Sequence, residues 1–239
     1  MIPLDRQERY RDIYRSLRPG YKDSVALYAE LMGRYVTPQA RVLDAGCGRG
    51  GVIELSWKKV KQAVGLDADL PSLREHRCLE QLVEGELAWL PFSSACFDLI
   101  LCSWLMEHLA TPNAVFAELA RVLSPGGHLV LVTPNAWNYV TVVQRLVPDR
   151  FQEWLAHRIY GREEKDTFPL AYRANTKGSL DAKFRRVCLV NEDFHYVGDP
   201  SYVAGNDLLF RLGVWWERIT DWGPLRRTKV HLVASYVKV

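Results

Sequence analysis

No stretch of this 239-residue chain approaches the ~20 consecutive apolar residues of a membrane-spanning helix. The opening MIPLDRQERYRD also lacks the apolar core of a secretory signal. A soluble, cytoplasmic protein without an integral membrane segment is the expectation. The five cysteines, at positions 47, 78, 96, 102 and 188, make no CxxC pair and are odd in number. That argues against a disulfide framework and against a zinc site, and no metal is expected. Neither sign of charge dominates, since 31 basic against 28 acidic residues leave +3 with no long basic block. Charge alone therefore does not call for nucleic acid. Glycine and proline are too sparse for a collagen-like or low-complexity chain. What is present, 48% hydrophobic residues in a chain of this length, suffices for one sizeable core with an appended lid but not for two large independent domains.

Periodicity organises that core. Ser24 can cap a helix with Val25, Tyr28, Leu31, Met32, Tyr35 and Val36 on one face, stopped by Pro38. Short apolar runs then predict strands at about 41–45, 62–66, 82–85, 97–102 and 127–132, with a helix from about 50. Thr111 and Pro112 open a further helix facing inward through Val115, Leu119, Val122 and Leu123. This is the βαβ rhythm of a parallel sheet. It breaks over 134–180, an aromatic stretch containing Trp137, Tyr139, Phe151, Trp154, Tyr160, Phe168 and Tyr172, read as a partly helical insertion. A strand near 185–190 follows, then a helix at about 206–220 with Leu208, Leu212, Trp215 and Ile219 on one face, then the β-rich run KVHLVASYVKV. Trp215 and Trp216 could rest that helix on a membrane, but Glu217 and Asp221 nearby favour core packing. A single domain is expected, with a helical cap over 1–38, a core over 39–134, a lid over 135–182 and returning core elements over 183–239.

VLDAGCGRGG at 42–51 carries the most chemistry: an apolar strand runs into glycines that let a ligand approach the backbone. Gly46, Gly48 and Gly51 satisfy GxGxxG, and Asp67 stands about 20 residues downstream, where a carboxylate accepts hydrogen bonds from ribose hydroxyls. So far NAD fits as well as any adenosyl cofactor. Asp44 discriminates, because a carboxylate two residues before the first glycine repels phosphate and attracts a cationic amino group. S-adenosylmethionine carries an ammonium and a sulfonium and no phosphate.

With these residues in view, the chain resembles the class I S-adenosylmethionine-dependent methyltransferases, within them the group typified by ubiquinone and menaquinone methyltransferases. The resemblance covers about 40–135 and rests on VLDAGCGRGG, VGLDAD, EGELAWLPF and FDLILCSWLMEHL, followed by LARVLSPGGHLVLVTPN, in that order. It implies a Rossmann-like α/β fold, a doubly wound seven-stranded sheet that is mostly parallel with an antiparallel last strand entering through a hairpin. It further implies that Asp44, Ala45, Gly46 and Gly48 border the methionine part of the cofactor, that Asp67 takes the ribose diol and that Ala68 lies beside the adenine. Glu86 stands where an aspartate often meets the adenine amino group, and Leu87 offers its backbone amide to the ring. Ser103 is expected near the methionine end and the acceptor.

The acceptor is less legible. His108 is the first candidate for a base, with His157 and His195 as alternatives. No NPPY-like segment follows the fourth strand, where CSWL stands instead, and no Pro-Cys pair is present. Adenine, amide and pyrimidine C5 methylation are thereby disfavoured. DTFPLAYRANTKGSL at 166–180 is similar to a segment of methyltransferases of bacterial glycan and lipid-linked saccharide pathways. The expected partner is a small-molecule or saccharide/lipid-precursor substrate, methylated at oxygen, with no nucleic acid; a homodimer is compatible. A nicotinamide-dependent oxidoreductase and a non-catalytic cofactor-binding scaffold are the competing readings.

Overall fold

The computed structural model describes residues 4–139 and 171–239. His157 and most of the expected lid, with Phe151, Trp154, Tyr160 and Phe168, lie outside the described residues. Two compact units divide the chain: one takes 4–24, 134–139 and 196–231, the other 25–133, 171–195 and 232–239.

The larger unit is built on a seven-stranded sheet. Strands β1 (Arg41–Ala45), β2 (Gln62–Asp67), β3 (Gln81–Glu84), β4 (Phe97–Ser103), β5 (Leu123–Pro134), β6 (Leu189–Val197) and β7 (His231–Lys238) lie in the order β3-β2-β1-β4-β5-β7-β6. β1 pairs parallel with β2 and β4, β2 with β3, and β4 with β5. The β5-β7-β6 end is antiparallel. Strands buried on both faces need continuous apolar sequence, and Val42, Leu43, Leu99, Ile100, Leu101 and residues 129–132 are all at most 1% exposed. The strand order turns back between β1 and β4, so the crevice beyond their carboxyl ends is where such a sheet holds a ligand. On its faces lie α2 (Ser24–Tyr35), the short α3 (Leu70–Arg74), α4 (Pro112–Val122) and α5 (Lys177–Arg185). Val115, Leu119 and Val122 of α4 face inward as its period predicts, together with Pro112, Phe116 and Ala120, while the buried Leu123 begins β5.

One expectation fails here. The helix expected from about 50 is replaced by two 3-10 turns, Val52–Leu55 and Trp57–Lys59, split at Ser56. Gly50 at φ +110 and Gly51 sit where that helix would begin, and neither favours propagation of its first turn. The last strand, β7, enters antiparallel between β5 and β6 as expected, beside the strand that precedes it in sequence. Residues 198–230 intervene and carry α6 (Asp207–Ile219).

The smaller unit packs around α1 (Leu4–Leu17) and α6. Tyr10, Tyr14, Ala204, Phe210 and Val214 form its core, with Tyr10 stacked on Phe210 at 4.6 Å. Asn206 caps α6 by accepting from the Leu209 amide. Lys229, 5% exposed, bridges Glu217 at 3.0 Å and Asp221 at 2.7 Å.

Candidate functional site

The glycine turn is held from both sides. The Gly46 and Cys47 amides donate to the Leu66 carbonyl at 2.8 and 3.1 Å, so the chain leaves β1 leaning on the end of β2. Gly46, Gly48 and Gly50 have φ of +72, +49 and +110, backbone conformations that side chains resist. At Gly46 a Cβ would also stand 2.9 Å from Leu105 Cδ1. Local sequence thus dictates the turn twice, through conformation and through space.

Asp67 closes the turn. Its Oδ2 accepts the Gly48 amide at 2.8 Å and its Oδ1 accepts the Asp69 amide at 2.9 Å. Each oxygen keeps a lone pair for a further donor. The Gly85 amide donates to the Asp67 carbonyl at 3.0 Å, bringing the Glu86–Trp89 turn to the same edge. Glu86 and Ala68 are exposed there, and Leu87 is half-buried.

Asp44 has a different character. It is 5% exposed, and its carboxylate makes no hydrogen bond or ion pair among the described residues. Burial, then the charge of Asp67, pushes its pKa up to about 7. A buried carboxylate without a partner is costly to ionise and attracts a cation that brings its own donors. Asp44 and Asp67 therefore present two acceptor groups of unlike environment at the carboxyl ends of adjacent strands.

Ser103 ends β4, and a Cβ on Gly51 would come within 4.0 Å of its Oγ, so it borders the same turn. Trp104 follows at φ +53, with its amide bonded to the Val132 carbonyl at 2.9 Å. A bulky residue in that region signals local strain, which such sites store. His108 ends the 3-10 turn Met106–His108, its side chain 25% exposed. His195 lies on β6 beside Asp193 and not in this group.

Several residues were invisible as site members in the sequence. Glu107 is buried, takes the Thr133 hydroxyl on Oε2 at 2.9 Å, and has Oε1 4.0 Å from His108 Nε2. Thr133 in turn accepts from Asn175 at 2.6 Å, and the Glu107 carbonyl accepts the Ala171 and Tyr172 amides. The turn bearing His108 is thus tied to β5 and to the segment leading into α5. His76 Nδ1 sits 3.1 Å from the Gly48 carbonyl. The Tyr28 hydroxyl is buried near Asp44 and the Cys102 backbone, and burial first, then Asp44, raises its pKa well above the ordinary value. Tyr28 reads in the sequence as one more apolar-face residue of α2. Among the described residues no cluster of ligating side chains could hold a metal ion.

Residues 43–131 match the family model described as a methyltransferase domain. The ubiquinone biosynthesis O-methyltransferase of Hahella chejuensis is 30% identical over 144 residues, 51% of this chain and 58% of that protein. The malonyl-[acyl-carrier protein] O-methyltransferase of Herminiimonas arsenicoxydans is 38% identical over 99 residues, 40% of this chain and 38% of that protein. The chain spans about half the length, or less, of these curated relatives. Among solved structures, the geranyl diphosphate C-methyltransferase of Streptomyces coelicolor A3(2) superposes with a TM-score of 0.60 at 15% identity, covering 89% of this chain and 80% of that one. That likeness is one of fold. The match to the methyltransferase-domain model thus takes in β1 to β5, and the seven-stranded order β3-β2-β1-β4-β5-β7-β6 is the fold that this chain shares with the solved methyltransferase structures.

Proposed function

We propose that this chain, whose residues 43–131 match the methyltransferase-domain model, transfers a methyl group from S-adenosylmethionine to the oxygen of a small-molecule or glycan/lipid-precursor acceptor. One observation carries the cofactor reading: the buried Asp44 carboxylate, without a partner of its own, at the mouth of a left-handed glycine turn. It fits an ammonium and opposes a pyrophosphate, which separates this cofactor from a nicotinamide dinucleotide. Asp67 has free lone pairs for a vicinal diol, and the Glu86–Leu87 turn lies beside it for an adenine. Gly46 and Gly48 are partly exposed beside Asp44, and the space at Gly48 is open, while Ala45 is buried and would offer only its backbone.

When bound, the cofactor supplies an already activated methyl group on a positive sulfur. The chain's own task is to orient the acceptor, exclude water and hold a proton where the acceptor needs to lose one. Ser103, at the end of β4, would border the acceptor. His108 would receive the acceptor's proton at a ring nitrogen, with the buried Glu107 carboxylate 4.0 Å from its Nε2. The O-methyltransferase names of the two curated relatives support oxygen as the target.

Calorimetric titration with S-adenosylhomocysteine, alongside NADH, tests the cofactor. Micromolar binding of the former alone is the expected result; binding of NADH alone would overturn it. For the base, His108→Ala is expected to leave S-adenosylhomocysteine affinity unchanged and to lower kcat by about 100-fold or more with an oxygen acceptor. An unchanged kcat would remove His108 from the reaction.

A further inference from the structure

The apolar face of α6 points outward, contrary to the packing that the sequence suggests. Leu208, Leu212 and Trp215, spaced i, i+4, i+7, are 66, 54 and 62% exposed, while Phe210, Gly213, Val214 and Glu217 face the core. Ile219 continues the stripe half-buried, and Trp222, 74% exposed, follows the helix end. Such a face is unusual on a soluble surface and marks a contact.

Charge says which contact. Glu217 and Asp221, the acids that weigh against a membrane in the sequence, are not free: Glu217 is 1% exposed and bound by Lys229, and Asp221 is shared by Lys229 and Arg18. Asp207 accepts the Tyr10 hydroxyl. Asp207 keeps its charge at the start of the helix, and the cations beside the exposed stripe are Arg211 and Arg218, which make no ion pair among the described residues. Arg218 also lines a cavity of about 160 Å³ with Tyr14, Leu17, Val214 and the Arg18–Asp221 pair. Leucines and an interfacial tryptophan flanked by arginines match the boundary between acyl chains and anionic headgroups.

We propose that the outward face of α6 seats on an anionic phospholipid surface, Leu208, Leu212 and Trp215 entering the headgroup boundary while Arg211 and Arg218 take lipid phosphates. The contact is peripheral: no described helix is long and apolar enough to cross a bilayer. It is independent of the methyl-transfer reading.

Sedimentation of the full chain with phosphatidylcholine vesicles, with and without phosphatidylglycerol, tests it. Partitioning is expected on the anionic vesicles and should weaken with salt. The double substitution Arg211→Gln, Arg218→Gln is expected to lower the partition coefficient about 25-fold, about fivefold for each arginine. Leu212→Gln with Trp215→Gln should lower it about tenfold or more at an unchanged thermal unfolding midpoint. No binding to anionic vesicles, or equal binding by both double variants and the parent, overturns the proposal. So does loss of a dimer, instead of loss of vesicle binding, in the Leu212/Trp215 variant, since a second copy would then cover the face.

Discussion

Asp44→Asn is expected to weaken S-adenosylhomocysteine binding by about 2–5 kcal/mol, roughly 30- to 5,000-fold in Kd, while making the ligand-free protein more stable. Both effects have one origin. In the free protein a buried carboxylate stands beside Asp67 with no cation among the described residues, and its pKa is about 7. Since this folded value lies above that of the unfolded chain, the native state binds the extra proton. Stability contributed at low pH is lost as pH rises from about 4 to about 7, to a total on the order of 4 kcal/mol. Asparagine keeps the shape and removes that slope. In the complex the sign reverses, because an ammonium favours the ionised form and lowers the pKa. Binding should therefore release a proton near pH 6 to 7 and tighten as pH rises through that window. Titration in buffers of different ionisation enthalpy measures the release, and melting curves at pH 5 and 8 measure the slope. Unchanged affinity in Asp44→Asn would sink the cofactor assignment, and a destabilised free protein would mean that Asp44 has a structural partner.

The parts of this site that were legible are those made by local chain geometry. Residues 41–48 announce a strand and a sharp turn because an apolar run meets glycines, and Asp44 and Asp67 follow from their spacing to that turn. Glu107, Thr133 and Asn175 belong to three separated segments, so only the fold brings them to His108. α6 shows the limit of periodicity most clearly. Both Leu208-Leu212-Trp215 and Phe210-Val214 recur at helical spacing, and a period identifies faces without saying which one the core takes. The choice turns on Glu217, whose charge suggests solvent in the sequence but which is held inward by Lys229, a residue twelve positions on. The helix expected after the glycine turn is missing for the opposite reason: Gly50 and Gly51 suggest the entry to a helix, and Gly50 at φ +110 breaks it at its start.

That inward Glu217 leads to the second large effect, Lys229→Met, expected to destabilise the protein by about 3–5 kcal/mol. Lys229 Nζ is the only hydrogen-bond partner of the Glu217 carboxylate among the described residues, through Oε2 at 3.0 Å, and Oε1 is already buried without one. Gly198 leaves no space to move the carboxylate, since a Cβ there would collide with it. Removing the ammonium strands a charge that cannot reach water. Burial already raises the Glu217 pKa against the opposing pull of Lys229, so without Lys229 the carboxyl takes a proton at higher pH still. The unfolding deficit of Lys229→Met should accordingly shrink as pH falls below the raised value, where the folded carboxyl is neutral and holds a proton that the unfolded chain releases. Adding Glu217→Gln should recover most of the loss at neutral pH, because an amide costs far less to bury than an unpaired carboxylate. Denaturant unfolding of the two single variants and the double variant measures this coupling. A Lys229→Met protein as stable as the parent, or a double variant no better than the single one, would show that the pair does not hold the smaller unit together.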